Sequence, residues 1–321
     1  MKLRAMILFT TTMAFTAGLG SIPGQEPAKG AALREVKGVT IREVNPSDTD
    51  KKIDKFTGAG HEHLAYFKKE GQPKGQLVVF IPGTGGNGHG GAKFCMEAAA
   101  EGYHVVALTY PSNLSVSTIR SSKDPLAFQK ARENIIHGKQ SYLDFKITEE
   151  NSIENRLHKL IEYLAAADTE QQWNQYLTKK DGLAWGKMVL SGQSQGAGHA
   201  GFIAIQRKVA RVVMFGGPKD YNVTLDKSGA WMTEKKATPL NRFFCFNHTD
   251  DGKNGCTYPQ QLENYRALKL SPEYKVVDVD KTAPPYQHTR LLTSTRSVDN
   301  AHTAPLGDLT YKDVWHYLLS E

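Results

Sequence analysis

A chain of 321 residues, 40% of them hydrophobic, carries enough apolar surface for one sizeable core. Its formal charge of +7 comes from Lys and Arg scattered along the chain rather than massed in one run. With no accompanying aromatic and basic motif, this argues against nucleic acid as a partner. No zinc-type Cys/His spacing is present either, so no metal site is expected.

The N-terminus reads as a targeting segment. Lys2 and Arg4 precede an uncharged, mostly apolar run from Ala5 to Leu19, and Gly18, Gly20 and Ser21 supply cleavage sites. The run is short for a membrane span and rich in Thr and Gly, so no stable membrane insertion is expected. Residues 1–20 are assigned to a cleaved signal peptide, placing the mature protein in the periplasm or outside the cell. Residues 21–35, rich in Pro, Gly and Ala, are assigned to a flexible leader, and 36–321 to a single domain.

Val39–Val44 and Leu64–Phe67 read as antiparallel edge strands. Gln76–Ile81 is a continuous apolar run, as in a strand covered on both faces. It ends in the loop Pro82-Gly-Thr-Gly-Gly-Asn-Gly-His-Gly-Gly91, followed by a short helix over Phe94–Glu101 and a strand from His104 to Leu108. Gly83 to Gly88 match the dinucleotide fingerprint G-x-G-x-x-G. That use requires an acidic residue after the next strand, and Thr109-Tyr-Pro-Ser-Asn113 holds none, so no cofactor is expected. The stretch from Ser112 to Glu150 is a long insertion with a helix expected over Asp124–Ile136. It leaves the end of a strand where α/β sheets bind ligands, so it either shapes a substrate pocket or is a surface excursion. Asn151 and Glu154 mark a helix start, with Ile153, Leu157, Leu160, Ile161 and Leu164 as its buried stripe.

The organising stretch is Lys187-Met-Val-Leu-Ser-Gly-Gln-Ser-Gln-Gly-Ala-Gly-His-Ala200. A strand runs into Gly192-Gln-Ser-Gln-Gly196 and then into a helix, the G-x-S-x-G pattern in its required context. A serine hydroxyl is a weak nucleophile unless a base can reach it at a sharp bend, and Ser194 is expected to adopt a strained, positive φ there. Ala197, Ala200, Gly201, Ala204 and Ile205 form a stripe of small residues on the following helix. When the serine attacks a carbonyl, two backbone N–H groups must meet the charge that develops on oxygen. Gln195, next after the nucleophile, is the candidate for one and Thr84 in the glycine-rich loop for the other, unless that loop is only a flexible surface segment.

After this elbow, Arg211–Phe215 is a strand ending in Gly216-Gly-Pro218. The connection from Pro218 to Asn241 is too short for a lid domain, so an open site is expected; Trp231 within it either lines the site or packs in the core. Arg242–Phe246 is the next strand and Asn247-His-Thr-Asp-Asp-Gly252 the turn after it. In chain order the acid follows the serine and the histidine follows the acid. Asp251 is therefore the candidate acid, with Asp250 the alternative. The other aspartate is a candidate cap for a helix beginning near Pro259. Most of the eleven histidines precede the acid, leaving His288, His302 and His316. His302 lies in the loop after the apparent last strand, Thr289–Ser294, and is the candidate base. Cys245 and Cys256 are close enough in sequence to bridge in an oxidising compartment, while Cys245 equally fits a buried thiol.

From Gln76 onward the chain resembles the α/β-hydrolase superfamily, on its glycine-rich loop, the Ser194 elbow, the Asp250-Asp251 turn and His302. It is most similar to secreted bacterial serine esterase and lipase-like members with a Ser-Gln-Gly-Ala-Gly-His elbow. It departs from many of them in having Pro82 where they carry His before the oxyanion glycine. The resemblance implies a mostly parallel, eight-stranded sheet flanked by helices, ester hydrolysis, and no metal or organic cofactor. The expected partner is a small-molecule or polymer ester. The rival reading is a binding protein on the same scaffold that no longer catalyses.

Overall fold

The computed structural model describes residues 33–55, 60–179, 182–252, 255–271 and 273–320. The expected signal peptide and most of the leader lie outside them. The last leader residues are strand: β1 (Leu33–Val36) turns back through Lys37-Gly38, both at positive φ, onto β2 (Val39–Val44). That two-residue turn is the connection that matches the twist of a hairpin.

β2 pairs antiparallel with β3 (His63–Phe67), and β3 pairs antiparallel with β5 (His104–Ala107). From there the sheet is parallel throughout. It runs from β5 through β4 (Leu77–Ile81), β6 (Met188–Gln193), β7 (Arg211–Phe215), β8 (Phe243–His248) and β10 (Leu291–Ser294) to β9 (Val276–Asp278) at the far edge. The fold is the α/β-hydrolase fold, but among the described residues the sheet has ten strands, not eight. The outer hairpin strand β1 and the three-residue β9 are the additions, the latter too short for its sequence to announce it.

Side chains alternate across this sheet with period two. Leu77, Val79 and Ile81 of β4 face one core; Val78 and Phe80 face the other. The first core is covered by α2 (Ala127–His137), α3 (Ile153–Ala167), α4 (Gln195–Gln206) and α5 (Tyr258–Ala267), the second by α1 (Ala92–Ala100) and α6 (Lys312–Ser320). Each fully buried Val, Leu, Ile or Phe side chain stabilises the fold by about 1.5–3 kcal/mol, which is why the central strands read as unbroken apolar runs.

Some local expectations are corrected. Ser152, not Asn151, caps α3, its hydroxyl accepting from Asn155 N–H. The Asn151 side chain is engaged instead by buried Arg156 at 2.6 Å and by the Asp54 N–H at 3.0 Å. Thr257, in a capping box with Gln260, starts α5, so neither Asp250 nor Asp251 is its cap. The elbow helix α4 is buried on every side rather than along one stripe, because Phe202 meets Trp231 at 5.7 Å on the face away from the sheet. Trp231 is a core residue and does not line a site.

The short connection after β7 carries the small hairpin Tyr221–Asn222 and Lys227–Ser228 and the 3₁₀ turns Ala230–Thr233 and Leu240–Arg242, and among the described residues no lid domain covers the sheet. Cys95, Cys245 and Cys256 are all free and buried. Among the described residues, no helix is long and apolar enough to cross a membrane.

Candidate active site

Chain order reverses between β4 and β6: the chain leaves β4 towards β5 on one side and β6 towards β7 on the other. Such a switch point opens a crevice at the carboxyl ends of the strands. Here Ile81 pairs opposite Gly192, so the glycine-rich loop and the elbow emerge side by side.

Ser194 adopts φ 57° and ψ −115°, the strained turn expected of it. Its N–H is held by the Phe215 carbonyl at 2.9 Å, tying the bend to β7. The flanking glycines are required by close approach. A Cβ on Gly192 would lie 2.3 Å from the Gly196 carbonyl oxygen, and one on Gly196 would lie 1.9 Å from that of Ile81. Strain of this kind costs roughly 1–3 kcal/mol and persists because strand pairing on both sides of β6 fixes the backbone.

Ser194 stands at the N-terminus of α4, where helix N–H groups and the helix dipole favour negative charge. Among the described residues, neither the Gln195 nor the Thr84 N–H has a hydrogen-bond acceptor. Their side chains are joined, with Thr84 Oγ1 donating to Gln195 Oε1 at 3.1 Å. The same Gln195 oxygen accepts the Val116 N–H at 2.8 Å, which anchors the start of the insertion. That insertion therefore borders the site.

Asp251 and His302 converge from the loops after β8 and β10. His302 Nδ1 lies 3.0 and 3.1 Å from the two Asp251 carboxylate oxygens. Asn300 Oδ1 accepts the N–H groups of His302 and Thr303 and shapes the loop that presents the ring. Asp251 is 1% exposed, whereas Asp250 is solvent-exposed and turned into an open cavity of about 300 Å³ beside His302, shared with Asp299. Burial would raise the Asp251 carboxyl, but the His302 N–H and the Lys219 ammonium outweigh it and hold it below the usual carboxylate range. His316 instead pairs with Glu101 at 3.0 Å on the surface, away from the crevice.

Several participants were not legible in the sequence. Gln193 Nε2 lies 3.0 Å from His302 Nε2 and donates to the His302 carbonyl at 3.3 Å. With Nδ1–H given to Asp251, the Nε2 lone pair accepts from this amide; no hydrogen bond from the Ser194 hydroxyl is found among the described residues. Lys219 Nζ donates to Asp251 Oδ1 at 2.9 Å, and Gln261 Nε2 to Asp251 Oδ2 at 3.3 Å. Beneath the elbow, buried Arg132 makes a two-pronged pair with Asp220, both contacts at 2.5 Å, and donates to the Gln195 carbonyl at 3.1 Å and to His199 Nδ1 at 3.0 Å. Trp231 Nε1 completes the Asp220 shell at 2.7 Å. Charges scattered through loops and a helix gave no spacing signal for either pair.

A roomier cavity, of about 480 Å³, is lined by His137, Glu149, Ser152, Glu154, His158 and Arg207, and the Ser152 hydroxyl there donates to the Glu149 carbonyl at 2.7 Å. Among the described residues, no group of three or more His, Cys, Asp or Glu is placed to hold a metal ion.

No family model and no curated protein matches the chain. Among solved structures it is similar to TT1662 from Thermus thermophilus, at 15% identity and a TM-score of 0.42, over 88% of this chain and 99% of that one.

Proposed function

We propose that this protein is a serine hydrolase, with carboxylic esters as its substrate class. The observation that carries the reading is the convergence on one crevice of a strained serine at a helix N-terminus and a buried, hydrogen-bonded Asp251–His302 pair. Ser194 is the nucleophile, His302 the general base, and Asp251 the acid that fixes the imidazole tautomer and stabilises its charged form. The Ser194 hydroxyl takes the place now held by the Gln193 amide at His302 Nε2, gives up its proton there and attacks the ester carbonyl. The Thr84 and Gln195 N–H groups receive the oxyanion. His302 passes the proton to the leaving alcohol, and water, deprotonated by His302, then releases the acid from Ser194.

An alkyl fluorophosphonate should label the wild-type protein, and Ser194→Ala should abolish both labelling and turnover of nitrophenyl esters. The amide already seated on His302 Nε2 favours one second reading, a binding protein on a hydrolase scaffold. Folded wild-type protein that stays unlabelled would establish it over the first. The apolar run after Lys2 and Arg4 supports export. N-terminal sequencing of protein recovered outside the cytoplasm should begin near residue 21, and an intact Met1 there would refute cleavage.

A further inference from the structure

Lys219 follows Gly216-Gly217-Pro218 at the end of β7. It is 8% exposed. Its backbone is fixed from α5, where Asn264 Nδ2 donates to the Pro218 carbonyl at 2.9 Å and the Tyr265 hydroxyl to that of Gly217 at 3.4 Å. The ammonium is thus delivered to Asp251 Oδ1 at 2.9 Å, with the Cys256 carbonyl at 3.5 Å. We propose that Lys219 is a positioning residue of this site, whose ammonium shares the Asp251 carboxylate with His302 and so opposes protonation of the imidazole that must act as a base.

The physical case is one of net charge in a buried cluster. A lone buried carboxylate strongly favours a protonated imidazole beside it; a second cation on the same carboxylate opposes that proton. Among the described residues, the other groups facing the cluster do not supply this cation. Asp220, next in sequence, is neutralised by Arg132. From the turn before α5, burial pushes the Cys256 thiol up to about 12, and from α5 it raises the Tyr265 hydroxyl well above its ordinary value, so both are neutral. Gln261 and Gln193 contribute uncharged amides, and Asp250 and Asp299 line the open cavity beside the ring. Arg120, from the insertion, acts on Cys256 at longer range, whereas Lys219 touches the carboxylate.

The catalytic consequence rests on the hydrolase reading; the electrostatic one does not. Both are separable by titrating the His302 ring by NMR in the full-length protein, its signal assigned by loss in His302→Asn. In Lys219→Met the ring should titrate about one pH unit higher, while Lys219→Arg stays with wild type. Lys219→Gln, which keeps a hydrogen-bond donor without the charge, should move with Lys219→Met and serves if the latter does not fold. An unmoved titration in either folded neutral variant overturns the proposal. The acid limb of kcat/KM on a nitrophenyl ester should move by the same amount. A limb that stays put while the ring titration moves leaves Lys219 its role and refutes His302 as the base.

Discussion

At Asp251 two adjacent carboxylates of identical chemistry are separated by burial alone. Asp251 is enclosed by His302, Lys219 and Gln261, while Asp250 one residue earlier faces solvent. An acid that orients a base must hold Nδ1–H and meet the imidazolium charge, and only Asp251 is placed to do so. Replacing it by Asn should cut kcat/KM roughly 10⁴-fold, with Asp250→Asn near wild type; the ratio of the two rates is the measurement. Equal losses at both positions would remove Asp251 from the role. Gln193 shows a limit of motif reading at the same scale. The pattern G-x-S-x-G leaves its second position open, yet that side chain is the one in contact with His302 Nε2.

Among the secondary-structure elements, α2 and α4 are joined by Arg132 hydrogen bonds to the Gln195 carbonyl and His199 as well as by apolar packing, while the Arg132 ion pair runs to Asp220 in the loop after β7. Arg132 projects from α2 beneath the first turn of α4, so the helix carrying Gln195 is tied to the insertion that borders the site. Burying such a pair yields little net stability, but breaking it leaves one charge without its counterion. Arg132→Met should lower stability by about 3–5 kcal/mol, read as a shift in the urea midpoint. Pairing it with Asp220→Leu should restore much of that loss, because the buried carboxylate is then gone. A double variant no more stable than the single would show that Arg132 acts through packing instead.

For the whole molecule, acid is the condition to which the core is most exposed. His63 is fully buried, where desolvation and nearby Arg156 pull it down to about 3, and the same two causes, with Arg132 as the cation, take His199 well below its ordinary value. Both rings are therefore neutral when folded and take up protons near pH 6.5 when unfolded. The unfolded chain binds more protons, so stability is complete above about pH 6.5 and falls as pH drops, by about 1.4 kcal/mol per pH unit for each histidine. Asp251, held low in the folded state, adds loss in the same direction at lower pH still. Urea midpoints measured from pH 7 to 4 should show this slope, and His63→Gln or His199→Gln should flatten it; a slope unchanged in both variants would assign the acid sensitivity elsewhere. The sequence by itself determined the parallel core, the elbow at Ser194 and the chain-order candidates Asp251 and His302. Each of these is written in local pattern: apolar runs, glycines flanking a bend, and a polar loop after a strand. Only the tertiary structure decided which aspartate meets the histidine, that Gln193 occupies His302 Nε2, that the three thiols stay free, and that Lys219 and Arg132 are buried beside their counterions. Those outcomes depend on loops from distant strands meeting at one end of the sheet, where contact is fixed by packing in three dimensions and leaves no periodicity along the chain.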